Sequence, residues 1–326
     1  MRRTWMTRPA RSLTALALSA SLLALAGSAS AEEPAPPGDV EPGSDPVETT
    51  EPPPSDAPGG CCGINNGKIA LSVGMDFTTA YFLRGILQER DGFIWQPYAG
   101  VTVTPYSGEG FLKSFSINVG TWNSVHSNKT LASGSGPSNW YESDVIAGFG
   151  LGLGDYVTTN LSYVMFAFPN GAYPTAQELD WTTNFNDSEF LGAFALNPSM
   201  LWVFELDSTS FGDFDDQGVY LQLGVRPSYV LFDGADYPIT LALPLTVGLS
   251  VADYYEESGP GGRDQTFGFF DAGLAAAVPL SFIPPEYGSW SATASVDMLA
   301  LSGTLATANR GDGTFFVGKA GISFAY

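Results

Sequence analysis

The chain has 326 residues, with 34 acidic side chains against 13 basic ones and a net charge of −21. That surplus repels nucleic acid and other polyanions and favours cations. With one His and two adjacent Cys, the composition excludes a His-rich metal centre and a long-range disulfide framework.

The first residues carry an address. Arg2, Arg3, Arg8 and Arg11 precede an apolar run, "SLTALALSASLLALAG", and Ala29-Ser30-Ala31 offers small residues for cleavage. This is the pattern of a secretory signal peptide over residues 1–31, too short and too rich in Ser and Ala for a membrane anchor. Residues 32–60, "EEPAPPGDVEPGSDPVETTEPPPSDAPGG", hold many Pro and acids and no basic residue. They have little to bury, so a disordered acidic periplasmic segment is expected over 32–65. It is a spacer, or a tether to periplasmic components, and extended as polyproline II its residues 32–60 would reach roughly 90 Å. Cys61 and Cys62 read as an incidental or weakly redox-active pair.

From Lys68 the sequence alternates. In "KIALSVGMDF", Ile69, Leu71, Val73, Met75 and Phe77 fall on one face and Ala70, Ser72, Gly74 and Asp76 on the other. Period two marks a strand with one apolar side. The pattern predicts twelve strands over about 66–79, 92–104, 111–124, 139–152, 156–168, 186–196, 199–209, 217–231, 237–251, 266–280, 288–300 and 313–326. Most exceed the 9–11 residues or so that a tilted strand needs to cross a bilayer. Short turns such as "PYSGEG" and "LGD" alternate with longer polar loops such as "FLRGILQERDG" and "SVHSNKTLASGSGPS". The expected fold is all-β, an antiparallel transmembrane β-barrel of about twelve strands over 66–326, with both termini periplasmic in a bacterial outer membrane. A soluble sandwich or barrel is the alternative. Aromatics near strand ends (Trp95, Tyr98, Trp122, Trp140, Tyr141, Phe166, Phe168, Trp202, Tyr229, Tyr237 and Trp290) read as an interfacial girdle.

The chain closes on "VGKAGISFAY". Lys319, Gly321, Phe324 and the terminal Tyr326 resemble the C-terminal β-signal of outer-membrane proteins. That resemblance implies recognition of Gly321, Phe324 and Tyr326 by the outer-membrane barrel assembly machinery. The first hairpin, "MDFTTAYFLRGILQERDGFIWQPYAGVTV", carries Tyr81, Arg84, Gly85 and Gln88 in a Tyr-x-x-Arg-Gly-x-x-Gln element. It resembles the opening of the TorF-family porins, a group of bacterial outer-membrane proteins. The likeness of style extends over most of 68–326 and implies a pore without naming its solute.

If the apolar faces meet lipid, the opposite faces line the lumen. Pore-lining candidates are Asp76, Asp144, Glu205, Asp207, Asp271 and Asp297, with the basic Arg226 and Lys319; Glu142 and Glu189 are further candidates. Acids in a wet lumen favour cations. A narrow passive channel for small cationic or neutral solutes is therefore expected; the alternative is a plugged, non-conducting barrel with a structural or interaction role. Arg84 either reaches inward to acids such as Asp76 or Asp297, or stands as an ordinary surface residue of an outer loop. No enzyme, metal or cofactor is expected. An outer-membrane phospholipase needs an H-x-S spacing, and His126 is followed by Ser127 and Asn128. His126 itself reads as a solvated loop residue, and the acid runs "DFDD" and "DYYEESG" as solvated loops. Partners are outer-membrane lipid, the assembly machinery and small solutes or cations.

Overall fold

The computed structural model describes residues 68–207, 217–235, 237–255 and 265–326. The leader, the Pro-rich segment, Cys61, Cys62 and the "DFDD" run lie outside the described residues.

Sixteen strands follow in chain order: β1 (Ile69–Thr78), β2 (Tyr81–Leu83), β3 (Ile86–Glu89), β4 (Ile94–Ser107), β5 (Leu112–His126), β6 (Trp140–Leu153), β7 (Val157–Ala167), β8 (Ala176–Phe185), β9 (Ser199–Asp207), β10 (Val219–Val225), β11 (Ser228–Leu231), β12 (Ile239–Ala242), β13 (Leu245–Ala252), β14 (Phe267–Pro279), β15 (Ser289–Leu301) and β16 (Thr314–Ala325). All but β2 and β3 join one antiparallel sheet, in which β1 pairs with β16 and β14 with β15, so the sheet closes on itself. β10 with β11, and β12 with β13, each form one stave, which makes a barrel of twelve staves. Both are interrupted where Pro227 and Pro244 cannot donate to the ladder. The ladder is patched there: Leu243 N–H donates to the Pro227 carbonyl at 2.9 Å and Gly273 N–H to the Pro244 carbonyl at 2.8 Å.

Alternation decides the two faces. On β1, Val73, Met75 and Phe77 are exposed while Gly74 and Thr78 are buried. Ile117, Val119, Val145, Phe149, Leu274, Val296 and Phe316 continue the exposed apolar band around the wall. An apolar outer face on a sheet with no open edge is the solution a bilayer demands, since backbone groups there must find their partners within the wall.

The closing seam runs to the last residue. Leu71 N–H donates to the Tyr326 carbonyl at 2.8 Å and Tyr326 N–H returns a bond to Leu71 at 2.9 Å. Phe324 packs on Trp290 with ring centroids 5.0 Å apart. Gly321 faces Asp76 across the seam, and a Cβ there would meet the Met75 carbonyl at 2.8 Å and collide with the Asp76 carboxylate. Whatever reads this terminus, Gly321 also makes room for a lumen acid.

One predicted strand is misplaced. The sequence reading put a loop over 169–185 and a strand over 186–196. The chain instead forms β8 at Ala176–Phe185 and then a helical turn, Ser188–Leu191, in the connection to β9. Glu189 is exposed on that turn, away from any stave. The girdle also loses members. Trp122, Tyr141, Phe166 and Phe168 are buried inside the barrel around Tyr81, whereas Trp140, Tyr229 and Tyr237 are exposed. Tyr141 turns inward because a bulge between β5 and β6 breaks the alternation beside it.

Candidate functional site

Between β1 and β4 the chain does not form an outer loop. β2 and β3 pair as a hairpin, with Leu83 opposite Ile86, and Arg84 and Gly85 form the two-residue turn. Both take positive φ, 44° and 84°, as a type I′ hairpin turn requires. Gly85 tolerates this freely, whereas Arg84 does so against its own preference. A Cβ on Gly85 would lie 2.7 Å from Leu305 Cδ1 and 3.0 Å from Phe269 Cδ1, so the turn is pressed against neighbouring side chains as well as bent.

The hairpin is folded into the barrel at the end away from Tyr326. Tyr81, Leu83, Arg84, Ile86 and Gln88 are all buried. Tyr81 donates its hydroxyl to Glu142 Oε2 at 2.9 Å and stacks obliquely on Trp122. Gln88 accepts from the Tyr141 hydroxyl at 2.6 Å. Asn309, just past the helical turn Gly303–Ala308, clamps the hairpin backbone: its amide donates to the Gly85 carbonyl and accepts from Leu87 N–H, both at 2.8 Å. The Tyr255 hydroxyl donates to the Arg84 carbonyl at 2.8 Å. The four residues of the Tyr-x-x-Arg-Gly-x-x-Gln element are thus four that dock the hairpin.

Arg84 makes the central contact. Its guanidinium forms two parallel bonds to Glu178 on β8, Nη2 to Oε1 at 2.6 Å and Nη1 to Oε2 at 3.0 Å. Nη1 also donates to the Tyr254 hydroxyl at 2.6 Å. The guanidinium carbon lies 5.0 Å from the Tyr220 ring centre and 5.4 Å from that of Tyr254, within cation–π range. Arg84 therefore reaches inward, but to Glu178 and not to Asp76 or Asp297, and it is not a surface residue.

Negative charge surrounds this pair. Glu142 and Asp144 on β6 and Asp180 on β8 are buried on the lumen face, and Glu205 on β9 stands directly opposite Glu178. Gly218 N–H donates to Glu205 Oε2 at 2.8 Å. No donor among the described residues reaches either carboxylate oxygen of Asp144 or Oε1 of Glu142. In a low-dielectric interior, one guanidinium does not offset this many carboxylates.

A second group lies around the closing seam. Asp76, Asp271, Asp297 and Lys319 are half-buried on β1, β14, β15 and β16. Lys319 stands opposite Thr78 on one side and Ser295 on the other, and the Ser295 hydroxyl donates to Asp297 Oδ2 at 2.9 Å. Asp207 ends β9 opposite Gln177. Arg226 is exposed at the break between β10 and β11. The structure thus collects Asp144 and Glu205 around the hairpin, and Asp76, Asp271, Asp297 and Lys319 in a second group at the closing seam.

No protein-family model matches the chain, and no curated protein matches it; the TorF-like element stands without a family match. Among solved structures it is similar to a COG4313 outer-membrane channel from Pseudomonas putida F1, at 11% identity over 79% of this chain and 94% of that one, with a TM-score of 0.41. It is also similar to the NanC porin (13% identity, 78% and 98% covered, TM-score 0.36) and to the translocator domain of the autotransporter NalP from Neisseria meningitidis (13%, 79% and 88%, 0.36). These likenesses are too distant to carry fold or cargo; the closed barrel rests on the strand register itself.

His126 is not solvated. It is buried at the end of β5 and stacked on Tyr141 at 4.7 Å. The Thr130 hydroxyl donates to Glu89 Oε2 at 2.5 Å, so it accepts from His126 Nδ1 at 2.8 Å, and Nε2 then accepts from the Ser124 hydroxyl at 2.8 Å. The order is that of a nucleophile, a base and an acid, except that Thr130 stands between His126 and Glu89, where a triad has a direct bond. Ser124 is fully buried, however, so no substrate can approach, and the chain of bonds instead ties the hairpin to the loop after β5. Burial works against the ionised form of Glu89, yet the bonds from Thr130 and from the N–H groups of Asp91 and Arg90 hold its carboxyl below the ordinary glutamate range.

Glu178 and Asp180 went unrecognised in the sequence. The signal was present: in "AQELDWTTNF", Gln177, Leu179 and Trp181 alternate with Glu178, Asp180 and Thr182.

Proposed function

We propose that this protein is an outer-membrane barrel that passes small cationic or neutral solutes through an acidic lumen, and that the docked hairpin is its closed state. The observation that carries the reading is the set of buried and half-buried carboxylates, Glu142, Asp144, Glu178, Asp180 and Glu205 around the hairpin and Asp76, Asp271 and Asp297 at the closing seam, against Arg84 and Lys319. A lumen so charged repels anions and concentrates cations. On this reading residues 1–31 are a signal peptide, 32–65 an acidic periplasmic segment, and both termini lie in the periplasm. Lipid surrounds the apolar band. The assembly machinery reads Gly321, Phe324 and Tyr326. The barrel works as a passage and not as an enzyme.

Ion selectivity tests this. Replacing Asp144, Asp271 and Asp297 together with Asn should move the reversal potential in a KCl gradient toward zero. An unchanged potential in a conducting triple variant would remove the acidic lumen from the account.

A second reading is a non-conducting barrel with a structural or interaction role. It is favoured by how fully the hairpin is docked, with Tyr81 and Arg84 almost without exposure. Persistent silence of a folded barrel lacking the hairpin would favour it.

A further inference from the structure

The surroundings of Arg84 have the composition of a ligand site. A carboxylate, Glu178, takes two bonds in the plane of the guanidinium. Two tyrosine faces, Tyr220 and Tyr254, lie within 5.0 and 5.4 Å of its central carbon. The Tyr254 hydroxyl accepts a third bond at 2.6 Å. Fork geometry suits a planar guanidinium and not a point charge, and aromatic faces favour a weakly hydrated cation. The two walls of this cage come from β8 and from β10 with the residues after β13, whereas its occupant comes from a separate hairpin inserted between β1 and β4. The occupant and the cage therefore belong to different parts of the molecule.

We propose that the Glu178–Tyr220–Tyr254 cage is a recognition site for solutes bearing a guanidinium group, occupied in the closed barrel by the chain's own Arg84. Solute and hairpin compete for one carboxylate. A solute that takes Glu178 displaces the tip, and the hairpin reseals the lumen once the solute leaves. The inference rests on the channel reading for its consequence, but the cage itself is tested without conductance.

The test uses the mature chain carrying Arg84→Ala, refolded in detergent, with folding checked by heat-dependent gel mobility. It is titrated by calorimetry with methylguanidinium and, separately, with methylammonium. Saturable binding of methylguanidinium is expected in Arg84→Ala, and weaker saturable binding in the wild type, where Arg84 competes for Glu178. Methylammonium should bind about ten-fold more weakly, because it cannot make the paired bonds. Adding Glu178→Gln should abolish binding. A folded Arg84→Ala barrel that shows no saturable binding, or that binds equally well with Glu178→Gln, overturns the proposal. If Arg84→Ala does not fold, a variant with residues 80–92 replaced by a short Gly-Ser turn presents the same cage and is read in the same way. A silent barrel that binds methylguanidinium would sink the channel reading and leave the cage standing. A conducting barrel that does not bind it would sink the cage alone.

Discussion

Arg84 and Glu178 lie 94 positions apart in the chain and meet inside the barrel through paired bonds of 2.6 and 3.0 Å, with each side chain only 1% exposed. Their meeting ties a hairpin tip to the wall at β8.

Breaking this pair from one side should release the tip. Glu178→Ala leaves a guanidinium buried without its counter-charge, at a cost of about 3–5 kcal/mol. The cheapest relief is for the hairpin to leave the lumen. Trypsin should then cut after Arg84, which the wild type shields, and mass spectrometry of the fragments reads it directly. The double variant Arg84→Ala, Glu178→Ala should cost less than Glu178→Ala alone, since the guanidinium is no longer left buried without the carboxylate that its paired bonds engage.

The turn is sensitive for a different reason. Gly85→Ala adds a Cβ at φ 84°, 2.7 Å from Leu305 and 3.0 Å from Phe269. Strain of this kind costs roughly 1–3 kcal/mol. The variant should show faster hydrogen exchange over residues 81–89 than over β14 or β15. Adding Leu305→Ala should recover part of the protection, because it relieves the clash but not the backbone preference.

The outer face of the barrel was legible because lipid enforces the alternation. Ile69 to Phe77 and the residues around Ile117 and Val296 show period two without interruption. The misplaced β8 has a physical cause. "SEFLGAFALN" is apolar enough to pass for a wall strand, while "AQELDWTTNF" carries two acids that a soluble edge or a loop would also carry. Only a lumen that needs those acids makes the second segment a strand. The inward aromatics were missed because Trp122 and Phe166 sit near strand ends, where a girdle residue and a plug residue differ only in parity. The docking of the hairpin was legible only in part: an inward Arg84 was one of two readings, but its partner Glu178 was not seen. Its contacts, from Tyr81 to Glu142 and from Arg84 to Glu178, cross the barrel, and no local pattern encodes them.

Acidification should loosen the anchor beside His126. The Glu89 carboxyl is held below the ordinary glutamate range by Thr130, Asp91 and Arg90. A depressed folded value means that its contribution is complete above the unfolded value and is lost as pH falls through the folded one. The share of hairpin protection that Glu89 supplies should therefore be complete near neutrality and be lost below the ordinary glutamate range. Glu89→Gln should flatten that acidic step.

The central claim is that the hairpin closes an acidic passage. The most direct test is single-channel recording under a KCl gradient, comparing the mature wild type with a folded barrel in which residues 80–92 are replaced by a short Gly-Ser turn. The account predicts rare, brief openings in the wild type and steady, cation-selective conductance without the hairpin. A folded hairpin-less barrel that stays silent, or that conducts without preferring cations, would contradict it.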